Sequence, residues 1–455
     1  MTDNRKGLFS NRTSTREFLS YKTDITAKTD LSDDISPSTM TDLERIFPDI
    51  LFGEDLMTQA LESLKDAPAF GSMAIRIDNE GGSGEKPLAD DTATRPDNAA
   101  VRIDVLKTIT TLCNTEKGIW GLIGENVFGA FFPDLHGRGC LDLAKNLQQL
   151  LSSVRSETIT IGVAAYPALD YERHPILENA RKALDHAAFL GPNSAVTFDS
   201  VSLNISGDAF YQEGDIQGAI DEYQRALEID PSNVNVHNSL GVCYGVLKSF
   251  DKASASFESA LHLDAGEIMA LYNTGLVHMM TGHRDKALEY FHSALDIRQD
   301  TFEVAYQMGK CYLELEQFGK AKEFLDKAIR LKPDSPPALS CFGQYYTAMN
   351  KQEEAIEAFQ AAIKKNPNDA KALSGLGYLY DLRNENAEIA LIFCKQSVDL
   401  APENGLFHQR LGQLYLKQSL PDKAIKAFRT ATDLGCDSTK LIEKIRQRLD
   451  SGASH

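Results

Sequence analysis

Residues 302–335 read FEVAYQMGKCYLELEQFGKAKEFLDKAIRLKPDS, and this stretch decides the fold because its pattern recurs through the second half of the chain. Placing Gly309 in register with its counterparts gives Gly207, Gly241, Gly275, Gly309, Gly343, Gly377 and Gly412, with every step 34 residues except the last, which is 35. A second small residue follows at a fixed offset, at Ala219, Ala253, Ala287, Ala321, Ala355, Ala390 and Ala424. The extra residue of the last step falls in the stretch from Asn384 to Ile389. A repeat of this length cannot bury its apolar face alone, so neighbouring copies must stack.

The spacing has a physical reason. The glycine and the alanine fall where two helices of a hairpin cross, and small side chains there let the axes approach. Large residues fill the space beside them: Tyr223, Phe257, Phe291, Leu325, Phe359 and Phe428, with Cys394 in the sixth copy. Pro231, Pro333, Pro367 and Pro402 are expected to stop the second helix of their copies, because proline lacks an amide hydrogen and clashes with the preceding turn. After Cys436, Leu441, Ile442, Ile445 and Leu449 alternate with charged residues, the pattern of a capping helix.

At 455 residues the chain exceeds one ordinary core, so two or three domains are expected. A 42% hydrophobic and 25% charged composition is that of a soluble globular protein, and a formal charge of -18 argues against nucleic acid as a partner. Seven dispersed cysteines with no CxxC pair predict neither a disulfide framework nor a zinc site, and imply a reducing compartment. Residues 1–40 hold no apolar signal core, and no later run approaches the length of a membrane span, so a cytoplasmic location without membrane contact is expected.

Read in order, residues 1–40 are rich in Ser, Thr and Asp and predict a mobile tail. Globular composition begins at Thr41. A helix is expected around Leu56–Leu64, a strand at Met73–Asp78, a long polar loop over 79–98 and a helix over 101–113. Ile119–Ile123 and Phe128–Phe132 read as a hairpin turning at Gly124-Glu125-Asn126. A helix near 138–154, a strand over Thr158–Ala164, a helix near 175–190 and a strand at 194–198 complete an alternating α/β domain. Almost no linker separates that last strand from the first repeat, so the two are expected to be held rigidly.

Three places in residues 45–199 carry a family likeness: Ile123-Gly124-Glu125-Asn126-Val127-Phe128 before an apolar strand ending at Pro133, Ile161-Gly162-Val163-Ala164, and Ala183-Leu184 through Gly191-Pro192-Asn193. In this order they resemble the GGDEF domain of bacterial diguanylate cyclases. The resemblance implies a ferredoxin-like mixed sheet with helices, and a site joining two GTP molecules through metal-binding carboxylates. Here Gly124, Glu125, Asn126, Val127 and Phe128 stand at the hairpin motif, so a bulky acid replaces the second glycine and Asn126 and Val127 replace both acids. Of the family's Asp-x-Asp pair only Asp78 remains, with Arg76 at the first position, while Ala188 and Pro192 stand at the phosphate-binding cations. The Arg-x-x-Asp inhibition motif, expected at 115–118, is absent. A degenerate domain follows, with no catalytic residue, metal or cofactor.

The repeats resemble the tetratricopeptide (TPR) pattern, which implies an all-α superhelical solenoid. Seven copies are expected at about 200–233, 234–267, 268–301, 302–335, 336–369, 370–404 and 405–438, after a GGDEF-like domain over 41–199 and before a cap and tail over 437–455. In that family the first helices line a groove for an extended peptide or a partner's helix. The matching positions here include Tyr211, Asn238, Tyr272, Asn273, Tyr306, Gln307, Lys310, Tyr378, Gln409, Arg410 and Gln413. The family's clamp for a C-terminal carboxylate needs Lys and Asn, then Asn, then Lys and Arg in three consecutive repeats, and no three copies carry it. The expected function is a non-catalytic scaffold or adaptor in bacterial signalling or assembly, with a protein or peptide partner in the groove and a second docking or dimerising surface on the GGDEF-like domain. The alternative is a diguanylate cyclase or guanine-nucleotide sensor regulated by its repeats.

Overall fold

The structure, a computed structural model, describes residues 35–78, 98–168, 173 and 175–452. Of the expected tail over 1–40 and the expected polar loop over 79–98, residues 1–34 and 79–97 lie outside the described residues. The chain divides into a first unit ending at Asn273 and a second beginning at Thr274. The division falls inside the repeat segment, so the first unit holds the α/β region together with the first repeats.

The α/β region runs α1 (Pro37–Ile46), β1 (Leu51–Phe52), α2 (Gly53–Ser63), β2 (Phe70–Ile77), α3 (Asn98–Glu116), β3 (Ile119–Gly124), β4 (Val127–Pro133), α4 (Gly137–Ser152), β5 (Ile159–Tyr166), α5 (Ile176–Leu190) and β6 (Ala195–Thr197). The strands form one mixed sheet in the order β1-β3-β4-β2-β5-β6, antiparallel among β2, β3, β4 and β5 and parallel at the β1 and β6 edges. From β2 to β5 the elements follow a β-α-β-β-α-β order. Strand β2 lies inside the sheet, and its alternation divides two cores. Met73 and Ile75 join a cluster with α3 and α4, whereas Phe70 and Ala74 join one with α2 and α5. On β5, Gly162 is where α5 lies directly on the sheet, since a Cβ there would overlap the backbone at Ala180, Ala183 and Leu184.

Two elements differ from expectation. Helix α1 begins at Pro37, so the tail does not extend to residue 40. Ser36 caps it, its side chain accepting from the Thr39 amide, and Pro37 suits the first turn because that position donates no intrahelical bond. The two-residue strand β1 was not foreseen, being too short to show alternation. Elsewhere β2 starts at Phe70 rather than Met73, and α3 runs further at both ends than 101–113.

In the first unit the α/β region passes into α6 (Ser200–Glu213), α7 (Ile216–Ile229), α8 (Val234–Val246) and α9 (Phe250–Leu263). Asp199 and Ser202 cap α6 reciprocally, and His186 Nδ1 on α5 lies 3.3 Å from both the Ser202 hydroxyl and the Asp199 carboxylate. Lys182 on α5 pairs with Glu222 on α7 at 2.6 Å. Helix α10 (Ile268–Met280) crosses the division. The second unit continues with α11 (Arg284–Ile297), α12 (Phe302–Glu314), α13 (Phe318–Leu331), α14 (Pro336–Ala348), α15 (Gln352–Lys365), α16 (Ala370–Leu382), α17 (Ala387–Leu400), α18 (Gly405–Lys417), α19 (Pro421–Asp433) and the terminal α20 (Thr439–Gly452).

Within each unit the hairpins pack as their spacing requires. A Cβ added at Gly241 would come 2.5 Å from the buried Phe257 ring, and one at Gly275 would come 2.5 Å from Phe291. Helices α7, α13, α15 and α17 end at Ile229, Leu331, Lys365 and Leu400, shortly before Pro231, Pro333, Pro367 and Pro402. The turn inside each hairpin carries a left-handed residue in register: Gly214, Lys248, Gly282, Glu316, Asn350, Asn384 and Ser419. Asn386 adds a second in the lengthened sixth turn. Six cysteines are buried and Cys436 is half-buried. Burial pushes the Cys113, Cys140, Cys243 and Cys394 thiols up to about 12 and those of Cys311 and Cys341 up to about 11. Among the described residues no helix is long and apolar enough to cross a membrane.

Candidate functional site

Two places drew attention in the sequence, the hairpin turn at 124–128 and the first helices of the repeats. At the hairpin, Gly124 ends β3, Val127 and Phe128 open β4, and Glu125 and Asn126 form the turn. Phe128 is fully buried in the core. Glu125 accepts the Ser36 backbone amide at 3.0 Å and the Thr39 hydroxyl at 2.7 Å, so its carboxylate sits at the N-terminus of α1. Arg102 of α3 closes the cluster, 3.2 Å from Glu125, donating to Asn126 Oδ1 at 3.1 Å and to the Thr39 hydroxyl at 3.2 Å. Burial alone would raise the Glu125 carboxyl, but the Ser36 and Thr39 hydrogen bonds and the Arg102 charge together hold it below its ordinary range. Phe47, just past α1, adds an edge-on contact to Trp120 of β3 at 5.8 Å.

Asp78 is equally engaged. Its carboxylate accepts from the Thr158 and Thr160 hydroxyls at 2.7 and 2.6 Å and from the Asn193 amide at 2.8 Å. The polar groups at the hairpin and at the end of β2 thus hold the domain's own segments together.

The repeat positions divide by unit. In the first, Tyr211 is half-buried and packs on the first hairpin's core, while Asn238, Tyr272 and Asn273 are 6%, 2% and 0% exposed. Asn273 donates to Asn238 Oδ1 at 3.0 Å. Asn238, Tyr272 and Asn273 therefore belong to the packing between helices and offer almost no surface to a ligand. Periodicity places a residue on a helix face but does not give the depth at which its side chain ends.

In the second unit, α12, α14, α16 and α18 stand side by side as an inner row. Tyr306 stacks on Phe302 at 6.0 Å. Gln307, 5% exposed, has an Oε1 without a partner, as does Asn273 Oδ1 one repeat earlier in sequence. A buried acceptor left unpaired is rare enough to call for an explanation. Arg410 of α18 lies over the Tyr378 ring at 4.8 Å and donates to the Ser374 hydroxyl at 3.0 Å, both on α16. Acids on these helices are already paired: Glu303 with Lys332 at 2.7 Å, Glu314 with Arg284 at 2.8 Å, and Asp381 with Lys417 at 2.9 Å. Burial, and after it the like charge of Lys371 two repeats further on, holds the Lys310 ammonium below its ordinary range. Lys371 was missed in the sequence because a single exposed lysine carries no pattern.

Comparison with known proteins bears on the helical half. A family model described as TPR repeat matches residues 207–245 and 343–381, and two described as tetratricopeptide repeat match residues 278–340 and 407–434. Among solved structures, the chain is similar to a tetratricopeptide repeat protein from Parabacteroides merdae, with 21% identity over 54% of this chain and 96% of that one and a TM-score of 0.45. It is similar also to YrrB, described as a TPR protein with an unusual peptide-binding site, with 23% identity over 41% of this chain and 95% of that one and a TM-score of 0.33. A third, MamA, shows 28% identity over 36% of this chain and 96% of that one, with a TM-score of 0.33. The comparison with curated proteins gave no match. The helical hairpins of the second half are tetratricopeptide repeats.

Proposed function

We propose that the protein is a non-catalytic adaptor whose repeats take a peptide or a helix of a partner protein on the inner helices of the second unit. The observation that carries this reading is the row α12, α14, α16 and α18, on which the half-buried Arg410 and Tyr378 lie together as a polar and aromatic surface. Tyr378 and Arg410 supply the aromatic and guanidinium surface that dominates many such contacts. The YrrB description is consistent with a peptide ligand.

The α/β region fits the same reading as a ferredoxin-like, GGDEF-like fold that has lost its cyclase residues and serves as a second docking or self-association surface. Its β-α-β-β-α-β order supports the fold, and the engagement of Glu125, Asn126 and Asp78 in internal hydrogen bonds supports the loss of chemistry. The full chain, probed against a panel of immobilised synthetic peptides, should retain a subset of them, and Tyr378→Ala should weaken that retention about tenfold or more. Retention unchanged in Tyr378→Ala would move the interface elsewhere. Incubated with Mg²⁺ and GTP, the protein should form no cyclic dinucleotide, and product formation would restore the cyclase reading.

A further inference from the structure

Among the outer helices of the second unit, α17 breaks the pattern of its neighbours. Its Ala390, Cys394 and Ser397 are fully buried against the array, so the opposite side of the helix, centred on Ile392, faces away from it. On that side Ile389 and Ile392 are 41% and 50% exposed. The same two positions hold Lys320 and Glu323 in α13, Glu354 and Glu357 in α15, and Lys423 and Lys426 in α19. A lone exposed apolar residue is ordinary, and Leu400 at the end of α17 recurs in register as Ile297 and Leu434, so it belongs to the repeat pattern. Ile389 and Ile392 do not recur, and they leave apolar surface uncovered where the other copies keep charge. Two exposed charges flank Ile392 on one side of the helix, Glu388 one turn before it and Lys395 one turn after. Neither has an ion-pair partner among the described residues, and Lys395 lies 5.9 Å over the Tyr415 ring.

We propose that this face binds a second copy of the chain, α17 against α17 in antiparallel order about a two-fold axis at Ile392. Such an axis requires each flank of the helix to complement itself with its order reversed, because residue i meets j wherever j meets i. The charges of α17 meet that condition. With Ile392 packed on Ile392 of the second copy, Glu388 falls against Lys395 of the second copy, and the reciprocal pair forms by symmetry. On the other flank Ile389 falls against the aliphatic stem of Gln396 of the second copy. A parallel arrangement would set Glu388 beside Glu388 and Lys395 beside Lys395, so like charges oppose it. One helix pair buries less than the roughly 1,200 Å² of a stable interface, so the association is weak and concentration-dependent. It goes beyond the peptide-binding reading, because α17 is not part of the inner row and that row stays open in the dimer.

The test is sedimentation velocity on the full-length protein over about 2–200 µM, in which the dimer fraction should rise with concentration. Ile392→Asp should remain monomeric throughout. Glu388→Lys and Lys395→Glu should each weaken the dimer about tenfold or more, and the double variant carrying both reversals should recover the parent's affinity to within about threefold. All three positions are exposed, so circular dichroism of each variant should match the parent. A dimer that survives Ile392→Asp lies elsewhere on the chain and overturns the proposal, as does a parent that stays monomeric across the whole range. Single charge reversals without effect, or a double reversal no better than the singles, also overturn it. A parent that stays monomeric yet holds a synthetic amphipathic helix, and loses it in Ile392→Asp, would assign the face to a different partner and equally refute self-association.

Discussion

Glu125 and Arg410 are both charged side chains drawn out of water, and their surroundings are opposite. Around Glu125 the protein supplies a backbone amide, a hydroxyl and a guanidinium from two different helices. Around Arg410 it supplies a hydroxyl and a ring, and no acid. The first arrangement is complete within the fold, so its charge serves structure. The second is incomplete, and an incomplete arrangement persists only where something outside the chain can finish it or where its cost is tolerated. The hairpin turn is therefore a fastening within the fold, whereas Arg410 keeps a charge that no acid among the described residues pairs with.

The sharpest way to break this contrast is to remove each arginine. Arg102→Met should destabilise the first unit by about 2–3 kcal/mol in urea unfolding, because it leaves the partly buried Glu125 carboxylate without its cation. Arg410→Met should do the reverse in the second unit, changing stability by no more than about 1 kcal/mol and in the stabilising direction, since an unpaired charge gives way to apolar contact. Equal losses at both sites would erase the distinction.

A second acid extends the comparison. Asp208 of α6 is buried, with the Tyr223 hydroxyl donating to it at 2.7 Å, and burial pushes its carboxyl up to about 6. Folding thus favours the protonated form, so its contribution is full below the ordinary value of 3.8 and is lost as pH rises through about 6. Asp208→Asn should accordingly stabilise the protein by about 2 kcal/mol at pH 7 and by little at pH 4. Glu125 should behave with the opposite sign and a smaller amplitude. Its carboxyl is held below the ordinary 4.5, so its contribution is present above that value and is lost as pH falls through its lowered value. The stability gap between wild type and Glu125→Gln should therefore close on acidification.

The repeats were legible because a 34-residue step constrains glycine, alanine and large residues together, and no tertiary knowledge is needed to see it. The hairpin from Ile119 to Pro133 was legible from its alternation and turn residues. The Glu125 cluster was not, because Ser36 and Thr39 lie 89 and 86 residues away and Arg102 belongs to another helix. A local sign of α1 did exist in Ser36-Pro37, a capping residue followed by a first-turn proline, but it lay in a stretch whose composition suggested a tail. Among the residues expected to line a groove, Tyr272, Asn273 and Gln307 share a face with Tyr306 in periodicity, and only packing showed how little surface Tyr272, Asn273 and Gln307 keep.

The burial of six of the seven thiols has a practical consequence for following any ligand. With the others shielded and held as unreactive thiols, Cys436 is the natural point for a single maleimide reporter. It adjoins Ser438, whose hydroxyl accepts from Gln409, the neighbour of Arg410 on α18. A dye placed there would sit at the end of the inner row without any engineered substitution.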